Sequence, residues 1–112
     1  MKAIPLPPIT DEVIHQVRDR IVEAVHPEQI WLFGSAARGK TREGSDLDLL
    51  VVMDLPEGVS HYAQAAKIHS LFRDLLVPMD IIVMPPEEFA RWHSTPGHIA
   101  RIATRDGVLL HG

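Results

Sequence analysis

Three aspartates and one glycine-serine turn are the residues of this chain whose types and spacing could do chemistry. Asp46 and Asp48 flank Leu47 and lead straight into Leu49-Leu50-Val51-Val52. Such a continuous apolar run reads as a strand covered on both faces. Alternate side chains of a strand share a face, so the two carboxylates point the same way. Side by side they repel and disfavour each other's ionised form, a conflict that a divalent cation removes. Magnesium suits the position because it takes a few carboxylates and completes its shell with water and phosphate oxygens. Asp80 opens a second apolar run, Asp80-Ile81-Ile82-Val83. A carboxylate in such a strand is costly unless it is paired or binds a metal. On an adjacent strand Asp80 could join Asp46 and Asp48 as a metal ligand and as general base for an attacking hydroxyl. The alternative is a strand-end aspartate paired with an arginine.

Gly34-Ser35 lies upstream, directly after the apolar run Gln29–Phe33. Glycine lets backbone approach a ligand closely. A helix start just after it offers unpaired N–H groups and a dipole that favours anions. The Ser35 hydroxyl adds a donor, and Arg38 falls one helical turn later, within reach of the same anion. Lys40 and Arg42 follow in a polar loop. Taken alone, Gly34 is a chain turn, Ser35 a helix cap and the basic residues solvated loop charge. The seven histidines show no metal-ligand spacing.

The elements that must position these groups can be read from periodicity and breakers. Thr10 or Asp11 caps a helix to about Val25, with an apolar stripe at Val13, Ile14, Val17, Ile21 and Val22. Pro27 ends it. Gln29–Phe33 is a buried strand, Ser35 caps a short helix to about Arg38, and Asp46–Met53 is the second strand. Ser60 caps a second long helix to about Leu76, with Ala65, Ile68, Leu71, Phe72 and Leu75 inward. Met79–Met84 is the third strand, and Pro85-Pro86 stops it. Glu87–Trp92 is helical, and the Thr95-Pro96-Gly97 turn starts a last helix to about Arg105. Asp106-Gly107 turns into a short apolar end, Val108–Leu110. Trp31 and Trp92 read as core. The pattern is α/β, a single small sheet flanked by helices.

Composition bounds the function. The chain has 112 residues, which reads as one domain over 1–112. Eleven basic against fifteen acidic side chains leave a net charge of −4, which argues against direct nucleic-acid binding. It does not argue against a nucleotide, whose phosphates a cation and a few local basic groups can offset. The absence of cysteine excludes disulfides and thiolate metal sites. No apolar run approaches a membrane span and the first residues lack a signal peptide's pattern, so the expected compartment is the cytoplasm. Exposed-looking apolar residues on the helices point to an oligomer.

The combination Gly34-Ser35…Arg38-Gly39…Ser45-Asp46-Leu47-Asp48-Leu49…Asp80 resembles the nucleotidyltransferase fold of the DNA polymerase β-like enzymes. It is most similar to the minimal nucleotidyltransferase (MNT) domains, over about residues 10–110. The end Arg105-Asp106-Gly107-Val108-Leu109-Leu110-His111 is similar too, and no motif position is missing. The resemblance implies a small mixed sheet flanked by helices. It implies that Gly34 and Ser35, with Arg38 and Ser45, hold a nucleotide, ATP. It implies that Asp46 and Asp48 bind two Mg2+ ions and that Asp80 completes the acidic triad. MNT domains often act as antitoxins paired with HEPN ribonuclease toxins, and similar ones transfer AMP from ATP to a toxin tyrosine. The expected assembly is therefore a hetero-oligomer with a HEPN toxin. A binding antitoxin without catalysis, and a transferase for a small hydroxylated molecule such as an aminoglycoside, are the other readings.

Overall fold

In the computed structural model, which describes residues 9–38 and 46–112, Thr10 opens the first helix, α1 (Asp11–Val25). Its hydroxyl accepts the Val13 N–H at 3.2 Å, and Asp11 and Glu12 sit in the first turn, where the helix dipole favours acids. Ile14, Val17 and Ile21 are the buried stripe. The helix ends one residue before Pro27, on a left-handed His26 (φ 47°) whose N–H reaches back to Val22 O at 3.0 Å. Strand β1 (Gln29–Phe33) follows, then a single helical turn, α2 (Gly34–Ala37). The α2 turn starts at Gly34, with Phe33 at the N-cap position, so Ser35 lies inside the turn and does not cap it.

Strand β2 (Leu47–Val52) runs antiparallel to β1 and begins after Asp46. Helix α3 (His61–His69) is capped by the Ser60 hydroxyl, which accepts the Ala63 N–H at 3.1 Å. It stops well short of Leu76. Ser70 turns its hydroxyl onto the Lys67 carbonyl at 2.6 Å, and the chain tightens into a 3-10 turn over Ser70–Phe72. A serine that bonds its own backbone competes with the helical ladder in this way. Ile68 and Phe72 are buried as expected, Ala65, Leu71 and Leu75 are half-buried, and Gln64 is buried as well.

Strand β3 (Met79–Met84) lies parallel to β2. Helix α4 (Pro86–Trp92) starts on a proline, whose missing N–H costs nothing at that position. Helix α5 (Ile99–Asp106) begins two residues beyond Gly97, because the His98 ring caps it: Nδ1 accepts the Ala100 N–H at 3.1 Å. Strand β4 (Val108–His111) closes on β1. Trp31 is half-buried against Phe89, but Trp92 is exposed and stacks on His98 at 5.3 Å.

The result is one mixed sheet of four strands in the order β3-β2-β1-β4, with helices on both faces. Leu47, Leu49 and Val51 of β2 face the larger core with α1 and α3, whereas Leu50 and Val52 face a smaller one with Ala100 and Ala103 of α5. Each such side chain removed from water contributes roughly 1.5–3 kcal/mol, which makes β2 the anchor of the molecule. A bidentate ion pair, Arg20 to Asp74 at 2.6 and 2.8 Å, ties α1 to the turn before β3.

Candidate active site

Asp48 follows the buried Leu47 on the central strand, and its face is fixed by strand alternation. It shares that face with Leu50 and Val52, at the end where their apolar cover runs out. The register places Phe33 of β1 opposite it on one side and Asp80 of β3 opposite it on the other. Phe33-Asp48-Asp80 is therefore one row across three strands. Phe33 is buried, Asp48 half-buried and Asp80 exposed. Asp46 lies just before the strand, also exposed.

The electrostatics follow from this row. Burial pushes the Asp48 carboxyl above its ordinary value, and the charges of Asp80 and Asp46 push it further the same way. Both Asp80 and Asp46 thus lie within electrostatic reach of Asp48, and the cost of the arrangement falls on Asp48. The sequence placed that cost on Asp80; the exposure of Asp80 moves it to the middle of the row. The alternative of an Asp80–arginine pair does not occur among the described residues.

Gly34 is packed directly against this carboxylate. Its φ is +75°, a conformation that L side chains rarely adopt. A Cβ built there would overlap Asp48 Oδ2. The glycine that the sequence marked as a close-approach position does approach closely, and what it approaches is the acid. Ser35 is half-buried in the same turn, and Arg38 is exposed at its end, its N–H donating to Ser35 O at 3.1 Å. Lys40, Arg42 and Ser45 lie outside the described residues.

The donor set fits magnesium in kind: the candidate ligands are carboxylate oxygens only. Among the described residues, no three His, Cys, Asp or Glu side chains close into a ready-made cage. Magnesium does not require one, since it is held by one or two carboxylates with waters and substrate phosphates filling the shell. Asp46 and Asp48 are the residues that would hold it, with Asp80 beside them.

Periodicity alone gave no sign of two features. Phe33 supplies the apolar wall against Asp48. Beyond Asp80, a cleft of about 500 Å3 runs along the outer edge of β3, lined by His61, Tyr62, Asp80, Ile82 and Glu88 among others. A position just after the helix cap at Ser60 was the one available hint that His61 would face the sheet. A wider, shallower hollow on α1, among Glu12, Asp19 and Glu23, lies between side chains of one helix and gathers none of the candidate site residues.

Among curated proteins, none matches this sequence. Several solved structures share the fold. A candidate nucleotidyltransferase from Sulfolobus solfataricus superposes with a TM-score of 0.58 at 21% identity, over 88% of this chain and 76% of that one. A toxin-antitoxin crystallised with AMP-PNP gives 0.58 at 21% identity, over 88% and 73%. A doubly substituted mutant of the toxin-antitoxin MntA-HpeT gives 0.54 at 21% identity, over 93% and 74%. The sequence model of the nucleotidyltransferase domain matches residues 14–110, a span that contains β1 through β3, all but the last residue of β4 and every candidate site residue, and the chain belongs to that family.

Proposed function

We propose that this nucleotidyltransferase moves AMP from ATP to a tyrosine hydroxyl of a partner HEPN toxin and thereby silences the toxin. The observation that carries the reading is the row at Asp48: two further carboxylates, Asp46 and Asp80, within electrostatic reach of it, with a glycine packed against it. Two of the structures that share this fold are toxin-antitoxin assemblies, one crystallised with AMP-PNP. In the other, two aspartates two positions apart were substituted, the spacing of Asp46 and Asp48 here.

In the proposed reaction the acceptor oxygen attacks the α-phosphorus of ATP. The bond from that phosphorus to the bridging oxygen breaks, and pyrophosphate leaves. Asp80, exposed beside Asp48, takes the acceptor's proton. Asp46 and Asp48 would hold magnesium, which when bound would offset the phosphate charge. Gly34 and Ser35, with Arg38 and Ser45, hold the phosphates. The product is a phosphodiester between the tyrosine and AMP.

The test is intact mass spectrometry of a HEPN partner after incubation with this protein, ATP and magnesium. The expected result is a gain of AMP units, lost in the Asp46→Ala/Asp48→Ala variant. A stable complex with no gain in mass would leave a binding antitoxin. The absence of any complex would leave small hydroxylated molecules as acceptors.

A further inference from the structure

We infer that the acceptor enters as an extended peptide segment that adds to the outer edge of β3, with its hydroxyl residue beside Asp80. The inference rests on the nucleotidyl-transfer reading and says how that site receives its acceptor. Strand β3 is the last in the sheet on this side, and no described strand pairs with its outer edge. Leu47 N–H donates to Pro78 O and Met53 N–H to Met84 O, so the even-numbered backbone groups of β3 face β2. Those of Met79, Ile81 and Val83 therefore point outward. One of them is taken: His61 Nδ1–H donates to Val83 O at 3.1 Å, and His61 Nε2 lies 3.8 Å from Glu88 Oε2. This contact blocks the Val83 end of the edge. The Ile81 end opens into the cleft of about 500 Å3 that Asp80 also borders.

Register then determines what an added strand delivers. A residue opposite Asp80 on a neighbouring strand would project its side chain on the face that already carries Asp48 and Asp80. A hydroxyl there lies on the acidic side of the sheet, next to the residue proposed to take its proton. Two positions further along the same face, the incoming side chain would meet half-buried Ile82 and the carboxylate of Glu88, both of which line the cleft. That position suits a lysine or arginine, whose apolar stem covers Ile82 while its head reaches Glu88. The occupant is thus an extended segment with a hydroxyl residue and a basic residue two positions away.

The test uses a synthetic hexapeptide, Val-Thr-Tyr-Val-Arg-Thr with blocked ends, together with two copies N-methylated on alternate sets of amides. The protein, ATP and magnesium are supplied, and AMP on the peptide is read by mass. The parent should accept AMP. One methylated copy, lacking the donors that face β3, should accept it about tenfold more slowly, the scale of losing strand hydrogen bonds. The other copy should stay within about threefold. Ile81→Pro, which removes an outward N–H and leaves the β2 ladder intact, should lower transfer to the parent by about tenfold with ATP binding unchanged. Equal rates for both methylated copies, or undiminished transfer by folded Ile81→Pro, overturn edge entry while leaving nucleotidyl transfer standing. AMP on a HEPN protein but on no peptide overturns it too. If no acceptor gains AMP and no pyrophosphate is released, the transfer reading itself fails. If Ile81→Pro does not fold, the pair of methylated peptides still decides.

Discussion

Asp48 is held in a state that its own fold opposes. Burial and the charges of Asp80 and Asp46 all favour its neutral form. The sign of the linkage follows. A carboxyl whose folded pKa lies above its unfolded value binds more protons when folded, so stability falls as pH rises through that interval. Asp48→Asn should therefore raise the melting temperature of the protein in chelator at neutral pH, and flatten this pH dependence. The same change should lower nucleotidyl transfer by more than about a hundredfold, the upper range for damage to a metal's supporting shell. Thermal melts and transfer assays on one preparation check both. Because Asp48 must be ionised to hold a cation, the acid limb of the transfer rate should lie above the range of an ordinary carboxylate. Raising magnesium should move that limb to lower pH. Gly34→Ala meets both a left-handed φ and the Asp48 carboxylate. It should cost about 1–3 kcal/mol in denaturant unfolding and reduce transfer, since the acid must shift. The two aspartates and Gly34 stood out as candidates through their combination and order along the chain, not through any one of them alone. The wall at Phe33 could not, because cross-strand neighbours depend on register, which local pattern does not specify.

Among the elements, the strands were the most readable. The run Gln29–Phe33 and the run Met79–Met84 became β1 and β3 with those bounds, because short apolar runs closed by Gly34, Pro78 and Pro85 leave little choice. The helices were less so at their ends. Ser70 cut α3 short by bonding its own turn, and His98 set the start of α5 through a ring nitrogen that no capping preference would have nominated. The Arg20–Asp74 pair was invisible, since it joins residues 54 apart in sequence. Its hydrogen bond holds the Asp74 carboxyl below its ordinary value. A lowered folded pKa contributes stability that is present above the unfolded value and lost as pH falls through the folded one. Arg20→Ala should accordingly lower the melting temperature at neutral pH and narrow the loss seen on acidification. The effect should be modest and salt-sensitive, because Asp74 is exposed and Arg20 is partly so. At the centre of the sheet the scale changes. Leu50→Ala should cost about 2–5 kcal/mol in denaturant unfolding, as for other fully buried leucines.

For the molecule as a whole, the α/β class followed from element order, whereas the mixed sheet was implied only by the family resemblance. Among the described residues, no helix is long and apolar enough to cross a membrane. What sequence order could not convey is that the site draws on both kinds of strand pairing in the sheet. Gly34 reaches Asp48 across the antiparallel pair of β1 and β2, whereas Asp80 reaches it across the parallel pair. A parallel pair can close only after the chain has made a full crossover, here through α3 and the turn that follows. During synthesis, then, a chain that has emerged only as far as α3 carries Asp46 and Asp48 but no Asp80. Competence arrives with β3, and the β1 edge waits longer still for β4. A nascent transferase of this design therefore lacks its third carboxylate, and any chemistry that needs it, until β3 has left the ribosome.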